Sequence, residues 1–142
     1  MADQIQVVPQ PSAETVTQAS DPLFVISAVF PFHLFPDKIV VDRFKIDVIQ
    51  KALLDEKIIT IPMSGNVIVN VDRGVFFSSV EIHDPTTLHH PIVVSYLSNE
   101  DANNFRKLIM GMVVGIKQGV NFMGMESTEV INSSINWGGI DA

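Results

Sequence analysis

The 142-residue sequence contains no cysteine, which removes disulfides, thiolate metal sites and cysteine nucleophiles together. It is also short of positive charge, with nine lysines and arginines against sixteen acids and a formal net charge of -7. All nine bases (Lys38, Arg43, Lys45, Lys51, Lys57, Arg73, Arg106, Lys107, Lys117) fall between residues 36 and 118, where ten acids leave a net charge of -1. The flanks hold six acids (Asp3, Glu14, Asp21, Glu126, Glu129, Asp141) and no base, for -6. Neither part offers the positive field that phosphate backbones or anionic lipid surfaces attract, which excludes nucleic acid and argues against a membrane. Long apolar runs are missing too, because Pro22, Pro31 and Pro36 interrupt the most apolar early stretch. The start, MADQIQVVPQPSAE, lacks the basic and apolar regions of a signal peptide, so the expected location is cytoplasmic.

Catalytic signatures are absent as well. There is no G-x-S-x-G, and Ser78-Ser79 lies mid-strand, where hydroxyls face solvent or pair across strands. Ser64-Gly65-Asn66 is too short to cradle a phosphate and reads as a turn. Asp55-Glu56 and Glu100-Asp101 have ordinary duties at a turn and at a helix start, not the duties of a glycosidase pair. The expectation is a protein that is not an enzyme and uses no cofactor.

What is present is apolar residue content of 46% against 18% charged, enough to bury one core in a chain too short for two ordinary domains. Residues 1–21 mix Gln, Pro, Ser, Thr and Ala without period and read as a flexible N-terminal tail. A domain is expected over 22–120. It begins with the extended segment PLFVISAVFPFHLFP, in which Phe30, Phe32, Leu34 and Phe35 are expected to plug the core. Strands follow at 38–42 (KIVVD), 44–50 (FKIDVIQ), 57–62, 66–71 (NVIVNV), 75–82 and 91–97 (PIVVSYL), with Phe44, Ile46 and Val48 on one side of the second of these. A hairpin loop falls at Asp72-Arg73-Gly74.

The last element is a helix over about 99–118. Ser98 and Asp101 form a capping box, Glu100 and Asp101 suit the positive end of the helix dipole, and Gly119 marks the stop. Phe105, Leu108, Ile109, Met112 and Ile116 make one buried face. Residues 121–142, rich in Gly, Ser and Asn with a weak apolar set (Val130, Ile131, Ile135, Trp137), read as a mostly flexible tail containing a possible short docking segment.

Three stretches, FPFHLFPDKIVVDRFKIDVIQK, NVDRGVFFSSVEIHD and SNEDANNFRKLIMGMVVGIKQGV, resemble a group of bacterial pleckstrin-homology-like (PH-like) domains, in which a "FPF-LFP" opening, a "G-FF-S-EI" hairpin and an "A--FR-LI-G" helix recur. The similarity covers roughly residues 28–121. It implies a mainly β fold, an antiparallel barrel or sandwich of six to seven short strands capped by one C-terminal helix. Phosphoinositide-binding relatives use clustered bases in the loop after the first strand. The matching loop here offers at most Lys38 beside Asp37, so the use implied is docking or scaffolding of a protein partner, without catalysis. The alternative is a membrane-surface lipid-binding adaptor, requiring Arg43, Lys45, Lys51 and Lys57 to assemble into one patch. A hydrolase is the third class considered.

Two candidate sites remain. His83, Asp84, His89 and His90 in HDPTTLHHP have residue types that bind divalent metals but no fixed ligand spacing, and they read as a solvated loop. His33 reads as a packed histidine. The helix stretch LIMGMVVGI (108–116) is apolar all round and must be covered by protein. Met110, Gly111, Val114 and Gly115 are its possible interaction face, open to a second copy through paired helices if neither the strands nor the segment around Trp137 covers it.

Overall fold

The computed structural model describes residues 22–29 and 34–139. The 1–21 tail and Phe30, Phe32 and His33 lie outside these. Among the described residues, seven strands form two antiparallel sheets. The first runs in the order β1 (Phe24–Ser27), β2 (Lys38–Val41), β3 (Lys45–Lys51) and β4 (Glu56–Pro62); the second is β5 (Ile68–Arg73), β6 (Phe77–His83) and β7 (Ile92–Ser98). Strand alternation builds the core: Ile39, Val41, Ile46, Val48 and Ile61 from one sheet and Val69, Val80, Ile82 and Val94 from the other are buried. Phe44 does not join them. It is 56% exposed, because Asp42 accepts hydrogen bonds from the Phe44 and Lys45 amides at 2.7 and 2.8 Å and turns the chain there.

The expected barrel does not close among the described residues. The sheets meet where the Val29 amide donates to the Tyr96 carbonyl at 2.8 Å. A bulge makes that bond available: Ser78 opposes Leu97 while Val80 opposes Val94, so β7 carries one extra residue. Tyr96 takes φ 61° there. Its ring meets Phe77 edge-on at 6.1 Å. At the other ends, β4 and β5 each have a neighbour on one side only among the described residues.

The terminal helix α1 (Asn99–Lys117) is capped as its sequence predicts. Ser98 Oγ accepts from the Asp101 amide at 3.1 Å. At its end the Gly119 amide donates to Ile116 and the Val120 amide to Gly115, with Gly119 at φ 80°, the paired bonds of a helix stop that needs a left-handed residue. Phe105, Leu108, Ile109 and Met112 are fully buried, and α1 packs on β5, β6 and β7.

Beyond α1 the structure corrects the sequence reading. Residues 121–142 were expected to be mostly flexible, but a 3-10 turn at Phe122–Gly124 leads into a second helix, α2 (Ser127–Gly139), which packs along α1. The fold therefore has two C-terminal helices. Val130 and Phe122 are buried against the core. Arg43, in the β2–β3 turn, donates to the Met125 carbonyl at 2.9 Å and to Ser127 Oγ at 3.0 Å, tying the start of α2 to the first sheet. A second correction concerns the lead-in aromatics: Leu34 and Phe35 are 73% and 37% exposed and plug nothing.

Candidate functional site

Of the Met110, Gly111, Val114, Gly115 face, the two glycines lie against α2 and its lead-in, while Met110 lines a crevice beside β5. A Cβ on Gly111 would sit 1.7 Å from the Ser134 carbonyl oxygen, and one on Gly115 would meet the Phe122 ring at 2.5 Å and Trp137 at 3.0 Å. Both glycines are buried and Met110 and Val114 are half-buried. The condition for helix-paired self-association, an uncovered face, is therefore not met at the two glycines. The two glycines make room for α2 and the turn that leads into it.

The exposed backbone lies elsewhere, on β5. In the three-stranded sheet β5 pairs with β6 alone, and among the described residues its backbone makes no hydrogen bond to any other element. An unpaired strand edge is a row of amides and carbonyls able to accept another strand. Beside this edge, two crevices follow one line. The first, about 550 Å³, is lined by Val69, Asn70, Val71 and Arg73 of β5 with Asn103 and Arg106 of α1. The second, about 300 Å³, continues past Val67 and Ile68 with Met110, Val113 and Lys117 of α1.

The helix side of this trough is a single stripe. Asn103, Arg106, Met110, Val113 and Lys117 are spaced alternately by three and four residues, which keeps them on one helix face. That stripe is about 21 Å long at the helical rise, and the six residues of β5 span about 20 Å. The trough is thus as long as the strand, with two arginines where β5 ends and an apolar stretch, closed off by Lys117, where it begins. Among the described residues neither Arg73 nor Arg106 has a carboxylate within ion-pair distance.

Asp84 fixes the apolar end. It is fully buried and accepts from Ser64 Oγ at 3.1 Å and from the Thr86 amide at 2.8 Å and hydroxyl, joining the loops before β5 and after β6 that wall the second crevice. Burial raises its pKa, but the hydrogen bonds from Thr86, Ser64 and Thr87 together outweigh that and hold the carboxyl below its ordinary 3.8. A carboxyl whose pKa is lowered on folding adds stability that is complete above its unfolded pKa and is lost as pH falls through the folded value. Asp84→Asn is therefore expected to be less stable than the wild type at pH 7, and the gap should narrow as pH drops below about 4. Urea titrations across pH 2.5 to 7 check this; a gap that stays constant would contradict it.

The remaining sequence candidates are scattered. His89 and His90 line a shallow hollow with Lys57 and Ile59, and no group of three or more His, Cys, Asp or Glu able to hold a metal occurs among the described residues. Ser78 Oγ donates to Asn99 at 2.6 Å and Ser79 pairs with Ser95 across strands at 3.2 Å. Of the four bases required for a lipid patch, Arg43 is bonded to the α2 connection and Lys45 to Asp47 at 3.2 Å. Lys51 lies at the far end of β3, about 20 Å from Lys45. No helix among the described residues is long and apolar enough to cross a membrane. The trough itself had one sequence signal, the α1 stripe, but the openness of β5 follows from strand order, which no local pattern encodes.

No protein-family model, no curated protein and no solved structure matches this chain.

Proposed function

We propose that the chain is a non-enzymatic protein-binding module of PH-like architecture that receives its partner along the trough between β5 and α1. The architectural part rests on the four-plus-three strand order followed by a capped helix laid on the second sheet, together with the motif resemblance. The single observation that carries the functional part is the open β5 edge beside a crevice of matching length. Main-chain pairing supplies affinity in such an arrangement, and the flanking side chains supply selectivity. The lipid-adaptor alternative finds less support, since its four bases are divided between the two ends of β3 and two are already engaged.

Two measurements on the full chain separate the readings. Panning a random peptide library is expected to enrich extended binders whose addition shifts the amide resonances of β5, while anionic vesicles retain none of the protein at physiological salt. Vesicle binding that disappears as salt is raised, with no peptide enriched, would give the chain to the lipid-adaptor class.

A further inference from the structure

Resting on that reading, we propose that the trough takes an acidic, extended segment of a partner protein as an added antiparallel strand on β5, with its carboxylates at Arg73 and Arg106 and its apolar side chains between Ile68 and the Met110–Val113 face. Four observations support it. First, β5 has a free edge among the described residues, where all strand pairs are antiparallel, the pairing that gives the straighter hydrogen bonds. Second, the trough spans the whole of β5 and holds an extended segment of about six residues. Third, Arg73 and Arg106 converge on the same crevice from strand and helix without an acidic partner among the described residues, and a guanidinium binds a carboxylate in a two-bond fork. Fourth, the crevice changes character along its length. Both arginines line one part, with Asn70 and Asn103 over Val69 and Val71, and Val67, Ile68, Met110 and Val113 line the next, with Lys117 at its far end. An antiparallel ligand would therefore place its acids first and its apolar residues after them.

A second copy of the chain fits less well. Pairing β5 with itself about a two-fold axis between Asn70 and Val71 sets Arg73 against Ile68 and Asp72 against Val69, which leaves the arginines uncompensated. Nucleic acid fits worse, since Arg73 and Arg106 beside Asp72, with Lys117 alone at the other end, do not make a phosphate track.

The probe is a fluorescein-labelled peptide, Glu-Glu-Thr-Val-Ile-Val, blocked at its C-terminus and titrated into the full chain by fluorescence anisotropy. Saturable binding is expected, weakening as salt is raised. Arg73→Glu and Arg106→Glu should each weaken it about tenfold or more. Arg73 is exposed, so its variant should keep the wild-type melting transition. The double variant should bind the Lys-Lys-Thr-Val-Ile-Val peptide that the wild type rejects, a swap that a merely unfolded variant cannot produce. Undiminished binding of the acidic peptide by both charge-reversed variants would overturn the proposal and still leave the protein-binding reading in place if panned peptides shift β5. A stable dimer in light scattering that no peptide dissociates would also overturn it, by giving the edge to a second copy. Failure of every peptide, together with vesicle binding, would remove the functional reading itself.

Discussion

Phe105→Ala is expected to lower the melting temperature by about 8 to 14 °C. Phe105 has no exposed surface and sits on the face of α1 that packs against the three-stranded sheet, with Leu108, Ile109 and Met112 on the following turns. Removing a fully buried phenyl ring costs about 3 to 5 kcal/mol, counting both the lost transfer energy and the cavity left behind. The better helix propensity of alanine returns only about 0.5 kcal/mol, so the loss dominates. In a chain of this size each kcal/mol moves the transition by about 3 °C. Thermal melts followed by circular dichroism measure it; a drop under about 3 °C would mean that α1 is not inserted where the fold places it.

Gly111→Leu should release α2 from α1 while both sheets stay folded. The added Cβ would stand 1.7 Å from the Ser134 carbonyl, and a backbone oxygen in the middle of a helix cannot rotate aside as a side chain can. Gly138 faces the same restriction from the other helix, with its Cβ position 1.9 Å from the Lys107 carbonyl. Overpacking against backbone belongs at the upper end of its usual cost, about 3 kcal/mol, while replacing a helical glycine with leucine returns about 1. A net loss of about 2 kcal/mol is expected from these two terms, with loss of the far-ultraviolet helical signal of thirteen residues. Gly115→Ala should be milder, because its nearest neighbours are the Phe122 and Trp137 rings, which can shift. Wild-type stability and helicity in Gly111→Leu would contradict the close helix pairing.

The residues that hid α2 from sequence reading are the ones that make its packing possible. Gly138 and Ser134 are small, and in a sequence window small residues with Asn read as loop. In the fold their smallness lets two helix backbones approach, with Val130, Phe122 and Trp137 filling the space around them. The signal that was present lay on the partner: an α1 stretch apolar on all sides implied a protein cover, and α2 is part of it. Strand alternation and the Ser98 cap were legible because they depend on neighbours two to four residues apart. The way the two sheets meet without closing was not, since it depends on the extra residue at Tyr96 and on which strands end up at an edge. Leu34 and Phe35 misled for a related reason. Apolar identity records what a residue gains when buried, not whether the chain path takes it inside. Of the site, the stripe Asn103, Arg106, Met110, Val113, Lys117 could be drawn from spacing alone, whereas its pairing with Arg73 required the fold.

The central claim is that β5 presents an open edge, and native-state amide hydrogen exchange on the free full-length protein tests it most directly. Amides of Ile68–Arg73 that point toward β6 should be protected nearly as well as those of β6 itself, while the alternate amides facing the trough should exchange about a hundredfold faster or more. Uniform protection along β5 would show that another segment or another molecule already occupies the edge, and would contradict the account.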